Sequence, residues 1–255
     1  MYRSIKSVLL ITGVLLLAFS CRTPFEVARA IPENYPVSEK LAAVDSQLVR
    51  FYLPYKQELE KDMAEVLAVA ETELVKDKPE SLLTNFLADL LREEGAVTSR
   101  QSGWGITPDL AYFNYGGIRT FLPKGDITVG KIFELMPFEN EMVFLKLKGA
   151  DVQAFLNELA SKGGDSVSGV RFGIRENRAV KIMIDGKPLD ENAAYWLVTN
   201  DYVASGGDNM QMLLNRIDFK NSSEKIRDVI IRHLKAMQER GERISPVLDG
   251  RIYHE

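Results

Sequence analysis

Apolar residues fall at helical intervals in two long stretches and in short runs between them. Leu48, Phe51, Tyr52, Tyr55 and Leu59 predict a helix over 44–62, kinked or interrupted at Pro54. A short apolar run at 66–70 predicts a buried strand. After Pro79-Glu80-Ser81, the residues Leu82, Leu83, Phe86, Leu87, Leu90 and Leu91 predict a strongly amphipathic helix with Pro at its start, and 101–108 a loop. Residues 110–113 read as a strand entering the turn Asn114-Tyr115-Gly116-Gly117. A short helix over 128–134 is capped by Thr128 and ended by Pro137. Residues 142–147 alternate as a strand that Gly149 breaks, and 151–159 are helical. Strands follow at 170–172 and 180–184, the second leading into a tight Asp185-Gly186 turn, and at 195–199 before a Gly206-Gly207 loop. The clearest helix is 223–238, with Ile226, Val229, Ile230, His233, Leu234 and Met237 on one stripe and Gly241 closing it. Helices and strands interleave without repeats, so the class is α/β or α+β.

The first residues follow a different logic. Arg3 and Lys6 precede an almost wholly apolar run over 8–19, and Ser20-Cys21 follows, the order of a secretory signal. The run is too short to span a bilayer comfortably. Cys21 is the only cysteine of 255 residues, so no disulfide can form within the chain. Ala18-Phe19-Ser20-Cys21 resembles a bacterial lipobox, although Phe19 is an imperfect member. The expected organisation is a lipoprotein signal peptide over 1–20, an acylated Cys21 with a proline-bearing tether over 21–44, and one domain over 45–255. An ordinary signal peptide with an incidental cysteine is the alternative. The first reading implies export and lipid anchoring at a bacterial envelope. The formal charge is −4 and apolar residues make up 45% of the chain, which suits a packed globular body and leaves out the basic footprint of a nucleic-acid binder.

Three motifs stand out: Asn114-Tyr115-Gly116-Gly117-Ile118-Arg119, Pro137-Phe138-Glu139-Asn140, and Asn200-Asp201-Tyr202-Val203-Ala204-Ser205-Gly206-Gly207-Asp208. Each alone is no more than a turn, a helix stop or a loop. In this order, with Lys124-Gly125-Asp126-Ile127-Thr128 and Leu147-Lys148-Gly149 between them, they resemble the C-terminal, substrate-recognition domain of the 5′-nucleotidase family. Upstream, Glu80 with Asn85-Phe86-Leu87-Ala88-Asp89 is similar to a helix of that family. Ile244-Ser245-Pro246 and Asp249-Gly250-Arg251-Ile252 are similar to its closing segment. The resemblance runs from about residue 45 to 252.

It implies a layered α/β (α+β mixed) fold of mixed sheets flanked by helices, and a nucleoside or nucleotide site. Phe138 and Tyr202 match the family's two clamping rings, and a base sandwiched between rings gains roughly 1–3 kcal/mol per stack. Asp208 would accept from the ribose hydroxyls, and Arg119 would present its donor fork to ribose or phosphate oxygens. Asn114 offers a donor and an acceptor to the ring edge, and Asn140 belongs to the same substrate-binding set. Gly117 and Gly207, in the two Gly-Gly pairs, would let backbone approach the ligand. Asp77 stands where family members often carry arginine, which removes one cationic ligand contact, and Asn209-Met210 follows Asp208 where the family usually has Gly and an aromatic.

The family's hydrolysis needs two metal ions held by D-x-H and G-N-H-[ED] motifs, which this sequence does not contain. Its two histidines are His233, on the apolar stripe, and His254, expected to be disordered. The chain is therefore expected to bind without cutting and to hold no metal of its own. It is read as the recognition subunit of a split enzyme whose separate metallophosphoesterase chain carries the two divalent metals. Alternatives are a stand-alone nucleoside- or nucleotide-binding envelope lipoprotein, or a structural domain whose site has decayed.

Overall fold

The computed structural model describes Asn34 and residues 45–255. The signal peptide, Cys21 and most of the tether lie outside the described residues. Residues 50–255 cluster as one compact unit.

In chain order the elements are α1 (Ser46–Met63), β1 (Val66–Ala70), α2 (Leu82–Gln101), β2 (Leu110–Phe113), β3 (Gly125–Thr128), α3 (Val129–Leu135), β4 (Glu141–Lys148), α4 (Gly149–Ser161) and β5 (Ser166–Ser168). They continue with β6 (Val170–Arg175), β7 (Arg178–Ile184), β8 (Lys187–Pro188), β9 (Ala194–Asn200), the four-residue α5 (Asp201–Ala204), β10 (Asp218–Lys225), α6 (Ile226–Glu239) and β11 (Ile252–His254). Helix α2 starts at a reciprocal cap: Thr84 N donates to Ser81 Oγ at 3.1 Å and Ser81 N to Thr84 Oγ1 at 2.8 Å. Thr128 caps α3 through Lys131 N.

A five-stranded mixed sheet, ordered β10-β4-β9-β2-β5, forms the middle layer. Side-chain alternation along its strands feeds two separate cores. Ala111, Phe113, Met142, Phe144 and Val198 face α2, α3 and α6. Leu110, Tyr112, Val143, Leu145, Leu147 and Leu197 face α4 and the four-stranded sheet β11-β6-β7-β8. Each fully buried Leu, Ile, Val or Phe contributes roughly 1.5–3 kcal/mol, so the two layers together hold the sheet between them. Helix α1 has no buried residue, although its apolar stripe is the one the spacing predicts. Pro54 lies inside it without ending it.

The last helix begins at Ile226 rather than 223, because residues 218–225 form the edge strand β10 against β4. His254 is ordered in β11, paired parallel to Ile174 of β6. His233 is buried as its stripe predicts, with Nδ1 3.0 Å from Glu94 Oε1 of α2. Arg232 links the same carboxylate to Glu224. Burial works against the Glu94 charge, but the hydrogen bonds from His233 and Arg232 prevail and hold it below the usual carboxylate range.

Candidate functional site

Sheet topology explains why three motifs far apart in sequence meet. Strands β2 and β9 are parallel neighbours, with Leu110 opposite Leu197 and Ala111 opposite Val198, so both end at the same edge of the sheet. Strand β4 runs antiparallel to β9, with Met142 opposite Asn200, so its first residues lie at that edge too. The turn after β2 carries Asn114 to Arg119. The turn before β4 carries Phe138 and Asn140, and the loop after β9 carries Tyr202 and Asp208. Between them lies a cavity of about 400 Å³ lined by Asn114, Gly116, Gly117, Arg119, Met136, Phe138, Asn140, Asn200, Tyr202, Asp208 and Ile226.

The cavity has an exposed aromatic rim. Phe138 is 42% and Tyr202 47% exposed, so each ring leaves much of its surface open at the cavity mouth. The Arg119 guanidinium stands 5.9 Å from the Phe138 ring centre, and its Nη1 donates to Gly116 O at 3.2 Å.

Below the rim the side chains are tied to each other. Asn200 Nδ2 donates to Asn114 Oδ1 at 2.9 Å, and Asn114 Nδ2 donates to Asp208 Oδ2 at 2.7 Å. Asn200 also caps α5, its Oδ1 accepting from Val203 N at 2.9 Å. The Tyr202 hydroxyl donates to Asp208 Oδ1 at 3.0 Å. Asp208 adopts a left-handed backbone (φ 52°), which a short polar side chain tolerates better than a bulky one. One oxygen of Asp201, Oδ1, accepts from Asn140 Nδ2 at 2.9 Å and from Glu141 N at 3.2 Å.

The glycine pairs serve the site's own side chains. A Cβ on Gly117 would come within 2.8 Å of Asn114 Oδ1, and one on Gly207 within 2.6 Å of the Tyr202 ring. Gly207 is absent from the cavity wall because the Tyr202 ring lies over it. The space beside Gly207 is filled by the Tyr202 ring, while Gly117 faces the cavity.

Charged groups brace the turns from behind. Glu139 pairs with Lys225 and Arg227, which hold its carboxyl down at about 2. Arg227 also stacks on Phe133, 4.1 Å from the ring centre. Under the Asn114 turn, Asp165 accepts from Tyr115 N at 2.9 Å, Ser166 N at 2.8 Å and the Tyr112 hydroxyl at 3.1 Å. Burial nevertheless pushes the Asp165 carboxyl up to about 6. Lys76 closes the same turn, donating to Tyr115 O at 3.1 Å and Ile118 O at 2.6 Å. Burial and then the nearby Arg119 charge lower its pKa, while Asp165 opposes them. Lys76 and Lys78 both lie over the Tyr115 ring, so the corner marked by Asp77 is flanked by two cations.

Of the side chains singled out from sequence, Asn114, Arg119, Phe138, Asn140, Tyr202 and Asp208 line one cavity, as does Gly117. Sequence reasoning missed Asn200, Met136 and Ile226 as lining residues. Asn200 was legible in principle, as the polar residue between a strand and a loop, where a cap is needed. Among the described residues no group of three or more His, Cys, Asp or Glu side chains is placed to hold a metal ion. No described helix is long and apolar enough to cross a membrane.

The family model described as 5′-nucleotidase, C-terminal domain, matches residues 64–215. A 5′-nucleotidase of Vibrio cholerae is 24% identical over 197 residues, which is 75% of this chain and 34% of that protein. Protein UshA of Yersinia enterocolitica is 35% identical over 105 residues, 39% of this chain and 19% of its own length. Among solved structures, a 5′-nucleotidase precursor from Thermus thermophilus superposes with a TM-score of 0.67 at 29% identity, covering 82% of this chain and 43% of that one. The chain thus spans about a third or less of the curated relatives cited and less than half of the solved one.

Proposed function

The chain belongs to the 5′-nucleotidase C-terminal domain family, and from that premise we propose that it recognises nucleosides or nucleotides for a hydrolase whose metals lie on a separate metallophosphoesterase chain. The observation that carries the reading is the cavity at the sheet edge, with two exposed rings, a carboxylate and a guanidinium on one wall system. Phe138 and Tyr202 stack on the faces of a base, which a flat, weakly hydrated ring favours. Asp208 keeps lone pairs free beyond those used by Asn114 and Tyr202, so it accepts from ribose hydroxyls. Arg119, held beside Phe138 and exposed, meets the sugar or its phosphate substituent. Asn114 and Asn140 complete the polar wall. Two divalent metals held by the partner chain would supply activation of water and neutralisation of phosphate charge. This chain's residues bind and orient the nucleoside and perform no hydrolytic step.

Export with lipid attachment at Cys21 belongs to the same proposal and rests on the sequence of residues 1–21. Intact mass of the mature protein from membranes should correspond to an acylated Cys21, and an unmodified amino terminus at another residue overturns the anchor.

The function is tested by calorimetric titration of adenosine, uridine and their 5′-monophosphates into the purified chain. Saturable binding that disappears in a Phe138→Ala, Tyr202→Ala double variant supports it. No binding of any of the four, or binding that the double variant retains, overturns it.

A further inference from the structure

We propose that Asp201, which lines no wall of the cavity, is a positioning residue that fixes the separation of the two rings; the ligand half of this inference rests on the nucleoside reading above. Asp201 sits at the first turn of α5, next to Tyr202 in the chain. Its Oδ1 receives two hydrogen bonds from the other ring-bearing segment: Asn140 Nδ2 at 2.9 Å and Glu141 N at 3.2 Å. Asn140 is two residues from Phe138. One carboxylate oxygen therefore ties the Phe138 turn to the Tyr202 loop, beyond the last rung of the β4–β9 ladder at Met142 and Asn200.

The other side-chain hydrogen bonds and ion pairs of these two segments lead elsewhere. Tyr202 is fixed within its own loop, through its hydroxyl to Asp208 and its ring over Gly207. The Phe138 turn is otherwise tied toward β10 and α6: Ile226 N donates to Asn140 O at 2.9 Å, and Glu139 pairs with Lys225 and Arg227. Those bonds tie the turn to β10 and α6, while the bonds to Asp201 tie it directly to the segment that carries Tyr202. A carboxylate suits this post because one oxygen accepts from two donors and the bond is charge-assisted. Helix-dipole support is a weaker reason for an acid here, since α5 has only four residues. Stacking falls off steeply when rings leave contact distance, so a loosened turn costs affinity although no ligand contact has been removed.

The experiment compares Asp201→Ala, Asp201→Asn and Asn140→Ala in the wild-type and Phe138→Ala backgrounds, with adenosine as the probe. Loss of the link by Asp201→Ala should weaken adenosine about tenfold, the equivalent of one charged hydrogen bond. Asp201→Asn should stay within about threefold of wild type, because an amide oxygen still accepts from both donors. Asn140→Ala, which removes the same link together with a wall side chain, should lose at least as much as Asp201→Ala, and in the Phe138→Ala background Asp201→Ala should change nothing further. Hydrogen exchange in the unliganded protein gives an independent readout. Amides 138–141 should exchange faster in Asp201→Ala and not in Asp201→Asn, with the Tyr202 loop and core strands unchanged. Unaltered exchange at 138–141 overturns the proposal, as does an Asp201→Ala loss of affinity that persists undiminished without the Phe138 ring. If the wild-type chain binds no nucleoside, the functional reading fails on its own, and the exchange result alone decides whether Asp201 holds the turn.

Discussion

The floor and the rim of the cavity are built on opposite principles. On the floor, Asn114 and Asn200 are 5% and 4% exposed, and their amides bond to each other, to Asp208 and to the α5 cap. Around the rim, Phe138, Tyr202 and Arg119 leave much of their surface to solvent. A buried amide without a partner costs about 1–3 kcal/mol, so the floor residues are bound up with the stability of the fold itself. An exposed ring returns little to stability, so rim residues can be lost with small cost to folding. Stability and binding should therefore separate along this boundary.

The sharpest break in the comparison is Asn200→Ala. It removes the cap of α5 and strands the amide oxygen of Asn114, and should destabilise the protein by about 3 kcal/mol in chemical denaturation. A loss below about 1 kcal/mol would mean the floor is not the structural element described. Next is Asp165→Asn. Burial raises the Asp165 pKa from 3.8 to about 6, so its contribution to stability is full below about pH 4 and is lost as pH rises through about 6. The asparagine form keeps an oxygen for Tyr115 N and Ser166 N and does not titrate. Its stability relative to wild type should thus improve between about pH 4 and about pH 7.5, by an amount on the order of 2 kcal/mol, in paired denaturation curves.

At the rim, Phe138→Ala should weaken nucleoside binding by roughly five- to 150-fold, with the denaturation midpoint nearly unmoved. A large stability loss in this variant would erase the distinction between rim and floor. The smallest effect is expected from Asp208→Asn, which should weaken adenosine a few-fold more than 2′-deoxyadenosine in parallel titrations, since the lost acceptor faces a hydroxyl that the deoxy sugar lacks. Equal losses for the two ligands would remove Asp208 from the sugar and leave it as part of the floor alone.

Much of this was legible in the sequence. Strong periodicity located α2, α4 and α6, and the strands with apolar alternation were read within a few residues of their ends. Strand β10 escaped because its residues alternate between partly buried and exposed while apolar side chains are almost missing from Asp218 to Lys225, Phe219 being the exception. Its pairing with β4, rather than any apolar stripe, makes it a strand, and it shortened the helix read from 223 onward. The Glu94–His233 contact left a faint trace: Glu94 sits three residues after Leu91 and seven after Leu87, on an otherwise apolar face, and a carboxylate there needs a partner. The motif order told which residues belong together. It could not tell that they meet at one sheet edge, which follows from the parallel pairing of β2 with β9, nor that Tyr202 would fill the space beside Gly207.

The alternation along β4 reaches beyond packing. Met142 and Phe144 belong to one core and Val143, Leu145 and Leu147 to the other. Two neighbouring residues thus answer to different constraints, and each layer can accumulate substitutions without the other having to adjust. The rim of the cavity hangs from the strand ends, and its exposed rings Phe138 and Tyr202 belong to neither core. Rim side chains can therefore be exchanged without either core having to repack, so the face the cavity presents is set separately from the scaffold that carries it.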